Sequence, residues 1–220
     1  MSSDSPKHAL LTQFAAVAKA LGHAHRLELL EFVAQGEPSV DALAQRAGLT
    51  VANTSQHLLL LRRAGLLASR QDGKRVRYRL ADDSVLNLLA ELRRVAERNV
   101  AEVQQIVNGY FKQQDALEPV SRRELLERME HGLVTVLDVR PEDEYRAGHV
   151  PGALNITLSE LDSRLTELNR DHEIVAYCRG AYCVLSFEAV AALRTRGLNA
   201  RRLEEGFPEW RVAGLPVETA

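Results

Sequence analysis

Cysteine is nearly absent from this chain, with only Cys178 and Cys183 among 220 residues. Two thiols cannot build a disulfide scaffold, so their five-residue spacing reads as reactive or buried thiols in a reducing compartment. Long apolar runs are missing too. No stretch approaches the roughly 18 residues of a spanning helix, and Met1 to Pro6 lacks the basic start and apolar block of a secretory signal. A cytoplasmic protein with no membrane partner is expected. Aromatic residues are scarce at 5%, but 45% apolar and 26% charged residues exclude disorder and leave enough core-forming material for two domains of ordinary size. There is no cysteine before Cys178 and no histidine between His57 and His131, which argues against a thiolate or imidazole metal site in the first half of the chain. His8, His23 and His25 have no cysteine companions and read as surface or helix histidines. No metal and no cofactor is expected.

The formal charge of -2 conceals an asymmetry. Residues 1–117 hold 15 Lys and Arg against 12 Asp and Glu, whereas residues 118–220 hold 13 against 18. Between Asp41 and Leu80 eight basic side chains face two acids, an excess that attracts a phosphate backbone.

The pattern of the first half is helical. Leu10, Phe14, Val17 and Leu21 recur at three- and four-residue spacing, and Leu27, Leu30 and Val33 continue until Gly36 and Pro38 interrupt. Ser39 is placed to cap one short helix ending at Gly48, and Thr50 a second running from Val51 to Arg63 and ending at Gly65. A strand-like stretch from Leu66 to Leu80 follows, with Asp72-Gly73 expected as its two-residue turn. From Val85 to Tyr110 the helical period returns, which predicts one helix of about thirty residues. So long an apolar stripe beside so small a domain predicts a homodimer through that helix or the first one. A change of pattern between Gln113 and Ser121 sets the expected division into residues 1–115 and 116–220.

In a helix-turn-helix, the second helix keeps an apolar inner face and shows short polar groups to the base edges. Thr54, Leu58 and Leu61 supply the inner face, and Asn53, Ser55, Gln56 and His57 the outer one, while Leu59 and Leu60 do not both fit inside. Arg62 extends the outer set, and Lys74, Arg75 and Arg77 cluster at the hairpin, where a wing grips flanking phosphates. The stretch "VDALAQRAGLTVANTSQHLLLLRRAGLLASRQDGKRVRYRLA" resembles the winged helix-turn-helix of arsenic-repressor-type (ArsR/SmtB) regulators, over about 110 residues that include "LGHAHRLELL" and the long helix. The resemblance implies a dimeric repressor of double-stranded operator DNA that leaves it on sensing an inducer.

After the boundary, strand and helix alternate. Leu133 to Leu137, Ile174 to Tyr177 and Ala200 to Leu203 read as strands and Val184 to Leu193 as a helix, which predicts an α/β domain with a parallel sheet. One strand ends in Asp138-Val139-Arg140, and another ends at Cys178, before Arg179, Gly180, Ala181, Tyr182, Cys183 and a helix. Inward-pointing amides and a helix N-terminus at such a loop stabilise a thiolate, making Cys178 a candidate nucleophile able to hold a persulfide. The blocks "VLDVRPEDEYRAGHVPGALNI", "IVAYCRGAYC" and "EEGFPEWRVAGLPV" resemble the rhodanese, or sulfurtransferase, domain. By that resemblance Cys178 accepts sulfur, Arg179 to Cys183 form the active-site loop, and Asp138, Arg140 and His149 belong to its framework.

Two departures matter. The arginine that clamps a tetrahedral oxyanion in phosphatases of this fold is missing, since Cys183 and Val184 stand at the end of the loop. Gly180 also comes one place earlier than in common sulfurtransferases. A second thiol at Cys183 suggests attack on a Cys178 persulfide to leave a disulfide, provided the two Cα atoms come within about 4.4 to 6.8 Å; a small buried residue is the alternative. The chain is thus expected to be a transcriptional regulator that receives a small sulfur-containing donor or inducer, or else a sulfurtransferase with an autoregulatory DNA-binding domain.

Overall fold

The computed structural model describes residues 5–111 and 119–220, so the expected boundary at 115/116 lies outside the described residues. The chain forms two compact units, one up to Val85 and one from Leu86 onward.

The first unit is built from α1 (Pro6–Leu21), α2 (Ala24–Val33), α3 (Val40–Ala47), α4 (Val51–Arg63), β1 (Leu67–Asp72) and β2 (Arg75–Leu80). Its helix ends follow from single residues. Ser39 Oγ accepts from the Ala42 amide and Thr50 Oγ1 from the Asn53 amide, satisfying donors that a helix start leaves unpaired. Gly48 ends α3 with φ +62°, a left-handed conformation that glycine adopts without a Cβ penalty. Leu29, Leu30, Leu43, Leu58 and Leu61 are fully buried, and Tyr78 and Leu80 pack inward from β2. In the hairpin Asp72 pairs with Arg75, so the two-residue turn is Gly73-Lys74 rather than Asp72-Gly73. The correction has a physical reason: Gly73, with φ +59°, takes the first central position, where a tight hairpin needs glycine.

The predicted thirty-residue helix is divided. The second unit opens with the greater part of α5 (Ser84–Asn99), followed by α6 (Ala101–Ile106) and a π-helical turn, Val107–Phe111, with Val100 extended between α5 and α6. Gln104 reaches back to donate to the carbonyls of Glu97 and Arg98 at 3.1 and 3.3 Å, which satisfies the end of α5 and lets the chain change direction. Leu88, Leu92 and Val95 on α5, and Leu10 and Phe14 on α1, are exposed apolar stripes.

The remainder is α7 (Arg122–Glu130), β3 (Val134–Asp138), α8 (Glu142–Ala147), β4 (Leu154–Asn155), α9 (Leu161–Arg164), β5 (Glu173–Tyr177), α10 (Val184–Thr195), β6 (Ala200–Arg202) and α11 (Phe207–Val212). Four strands form a parallel sheet in the order β4-β3-β5-β6. Alternate residues of a strand face opposite sides. Leu137, Ile174 and Ala176 therefore enter one core with Val190 and Leu193 of α10, while Val136, Val175 and Tyr177 enter another with Phe207 and Trp210. Because the strands are parallel, the chain leaves β3, β5 and β6 at one common edge, where open α/β sheets place their ligands.

Candidate functional site

At that edge three segments meet. β5 delivers Cys178, which is buried, and the chain then turns through Arg179-Gly180-Ala181-Tyr182 to Cys183, the residue that caps α10. The Cα atoms of Cys178 and Cys183 lie 6.1 Å apart and their sulfurs are joined in a disulfide. Five residues span so short a distance because the loop folds on itself, with the Cys183 amide donating to the Gly180 carbonyl at 3.1 Å. The start of α10 thus meets Cys183 rather than Cys178.

The first half of the loop is fixed from three directions. The Cys178 carbonyl accepts from the Phe207 amide at 3.0 Å. Arg179 forks onto Glu144 of α8 with three contacts of 2.9 to 3.1 Å, and the carboxylate is almost fully buried. Gly206, just before α11, lies so close that a Cβ there would meet the backbone of Arg179 and Gly180 at 2.4 Å. On the far side Arg202 donates to the Ala181 carbonyl at 3.3 Å while its guanidinium lies 4.2 Å over the Phe187 ring.

Asp138 and Arg140 form a fully buried ion pair beside this loop, with Arg140 Nη2 donating to Asp138 Oδ2 at 2.6 Å and to the Gly148 carbonyl at 2.7 Å. Tyr177, the residue before Cys178, donates its hydroxyl to the same Asp138 oxygen at 2.6 Å. Burial, and then the Asp138 charge, push that hydroxyl well above its ordinary pKa, so it remains a donor. Burial opposes the Arg140 charge, but the neighbouring carboxylate outweighs it and holds the guanidinium above its ordinary value. His149 is also buried; its ring stacks on Tyr145 at 3.7 Å and its backbone pairs with Glu218. These contacts brace the end of the strand that carries the cysteine. Glu144, Tyr177, Gly206 and Arg202 are additions that sequence reasoning missed.

On the first unit, α4 exposes Asn53 and Gln56 on one face, together with Leu60 at the next turn. Ser55 is half-buried at the margin. His57 turns away from that face, its ring 4.7 Å from His23 and 6.1 Å from His25. Burial first, then His23, Arg26 and His25, lower its pKa, so the ring is neutral at physiological pH. Among the described residues no group of histidines, cysteines and acids is arranged to hold a metal ion. Arg62 donates to Ser69 Oγ at 3.0 Å, joining α4 to the hairpin. Arg77 contacts Asp72 and the Glu37 carbonyl, and Arg70 contacts Glu37, whereas Lys74 and Arg75 project at the exposed tip. The hairpin charge is thereby divided between braces and tip.

Comparison with known proteins agrees with both units. Residues 21–70 match a helix-turn-helix domain and residues 121–213 a rhodanese-like domain. The HTH-type transcriptional regulator Rv0324 of Mycobacterium tuberculosis is 45% identical over 96% of this chain and 93% of its own length. A sulfurtransferase of Allochromatium vinosum is 31% identical over 38% of this chain and 78% of its own. The homodimeric winged helix-turn-helix DNA-binding domain Mb0332 of Mycobacterium bovis is 39% identical, covering 46% of this chain and 94% of that one, with a TM-score of 0.42. No described helix is long and apolar enough to cross a membrane.

Proposed function

Because the chain belongs to the helix-turn-helix transcriptional regulators and carries a rhodanese-like domain, we propose that it is a repressor that binds double-stranded operator DNA as a homodimer and releases it when a sulfane-sulfur donor loads Cys178. Residues 1–115 form the DNA-binding and dimerisation domain, of the arsenic-repressor type that its sequence resembles, and residues 116–220 the sulfur-receiving domain. The exposed stripes of α1 and α5 support the dimer, since an apolar face of that extent is ordinarily covered. Asn53 and Gln56 read base edges, and Lys74 and Arg75 contact phosphates.

The chemistry proceeds in two steps. The Cys178 thiolate attacks the outer sulfur of a persulfide or polysulfide, an S–S bond forms, and the donor leaves as its thiolate. Cys183 then attacks the inner sulfur of the Cys178 persulfide; the two Sγ atoms bond, the outer sulfur departs as sulfide, and the Cys183 proton goes with it. Two thiols are oxidised by two electrons and the sulfane sulfur is reduced. One observation carries this reading: the second thiol stands 6.1 Å from the first, Cα to Cα, inside the bridging range. A resolving thiol ends the reaction in a stable bridge, which suits a sensor better than an enzyme.

The test uses the reduced full-length protein and a duplex it selects from a random pool, with anisotropy measured at fixed salt before and after polysulfide. The expected loss of affinity is roughly 5- to 150-fold, the range of ordinary allosteric coupling, and Cys178→Ser abolishes it. Unchanged affinity in the treated wild type refutes the proposal. The similarity to a sulfurtransferase favours a second reading, an enzyme with an autoregulatory DNA-binding domain, in which multiple turnovers of thiocyanate form from cyanide and Cys183→Ser leaves them undiminished.

A further inference from the structure

We propose that the segment Leu86–Phe111, which lies outside the rhodanese-like match, completes the sulfur site and reads its state: Tyr182 latches the cysteine loop to Glu97 and Phe111, and the Cys178–Cys183 bridge sets that latch. The inference rests on the sulfur-sensing reading above.

Tyr182 sits between the two halves of the chemistry, one residue before Cys183. Its hydroxyl donates to Glu97 Oε1 at 2.8 Å, and its ring lies 4.9 Å from Phe111, which is itself 5.1 Å from Phe187 on α10. Burial, then the hydrogen bond to Glu97, push the Tyr182 hydroxyl up to about 12, so it donates throughout the physiological range. Arg93 adds a second contact to the same region through Glu209 at 3.7 Å.

The loop yields on one side only. Cys178 is 1% exposed, so a persulfide must find room for one more sulfur, an S–S bond of about 2.05 Å. Arg179 and Gly180 give little, being backed by the Gly206 backbone and held by Glu144. Displacement therefore falls on the Tyr182-Cys183 side. A cavity of about 270 Å³ lined by Tyr182, Glu97, Gln104, Val107 and Asn108 leaves space there for the ring to move.

The far end of the latch is the weakest point of the helical segment. Glu97 lies three residues before the extended Val100, and its own carbonyl accepts from Gln104, the side chain that closes α5. α5 in turn follows β2 after three residues and carries the exposed stripe of Leu88, Leu92 and Val95. A change at Cys183 thus reaches, through one hydrogen bond and one aromatic contact, the helix proposed to hold the dimer.

Hydrogen exchange on the full-length protein tests this, comparing the polysulfide-bridged chain with the phosphine-reduced one. In the wild type, amides over 93–111 are expected to exchange about tenfold faster once reduced, the loss of one charge-assisted hydrogen bond. Glu97→Ala should exchange fast in both states while mass spectrometry still shows the bridge, and Glu97→Gln, which keeps an acceptor oxygen, should retain most of the difference. Equal protection over 93–111 in both wild-type states, with 178–183 changed, overturns the latch. If DNA affinity then still responds to polysulfide, the sensor reading stands without the latch. If protection changes but DNA affinity does not, the latch stands and the sensor reading fails.

Discussion

Gly206→Ala separates loop geometry from general stability. Gly206 has φ -106°, open to any residue, so its backbone conformation is no obstacle. The obstacle is steric: the new methyl carbon would lie 2.4 Å from the Arg179 carbonyl carbon and the Gly180 nitrogen, and 2.6 Å from the Arg179 oxygen. Ordinary contact begins at 3.4 Å, so backbone must move by about 1 Å, at an overpacking cost of about 1 to 3 kcal/mol. The bridge has less room than that. Its 6.1 Å Cα separation stands only about 0.7 Å inside the ~6.8 Å limit. A 1 Å misplacement of reacting groups costs up to ~10²-fold in rate, so bridging after polysulfide should slow by one to two orders of magnitude. Gly197→Ala is the control, with φ +75° and nothing near its added carbon. It should lose about 1 to 2 kcal/mol through backbone strain alone. Urea unfolding measures the first quantity and timed alkylation with mass spectrometry the second. If both variants bridge at the wild-type rate, the reasoning about loop packing is wrong.

Asp138→Asn leaves the Arg140 cation buried with one fewer compensating charge, and should lower unfolding stability by about 3 to 5 kcal/mol in urea titrations. Gln56→Ala should relax sequence preference by about 1 to 3 kcal/mol per contacted base in competition with mismatched duplexes. Arg75→Ala should weaken every duplex alike and reduce the salt slope by about 1, whereas Arg77→Ala should also loosen the hairpin, since it contacts Asp72 and Glu37. His57 has a lowered pKa, so between its folded and unfolded values the unfolded chain binds more protons and stability rises with pH. Acidifying through and below pH ~6.5 should therefore destabilise the first unit, and His57→Gln should flatten that part of the pH profile seen in thermal melts.

The caps were legible because each is a local event: Ser39, Gly48 and Thr50 act within three or four residues of themselves. The strands β3 and β5 are legible for a similar reason, since buried parallel strands read as short β-branched runs. The interruption at Val100 was not. Apolar periodicity runs through it, and the side chain that stabilises the break, Gln104, looks in sequence like any solvated residue. Glu144 was hidden in the same way among the acids of "RPEDEYRAG", where nothing local distinguishes the one carboxylate that enters the interior to meet Arg179. Spacing alone puts His57 on the outer face, because the rings of His23 and His25 that it meets come from a different helix junction. Gly206 reads as a turn former, but its role is to let two backbones touch. Partners distant in sequence decide the last three, and a side chain reaching back six or seven residues decides the first.

One titration bears most directly on the whole proposal. Increasing polysulfide is added to the reduced protein on its selected duplex, while anisotropy and the mass of the Cys178 peptide are followed in the same sample. Affinity should fall in proportion to the fraction of Cys178 that has gained sulfur or closed onto Cys183. Full modification of that cysteine with the dissociation constant unmoved would contradict the account.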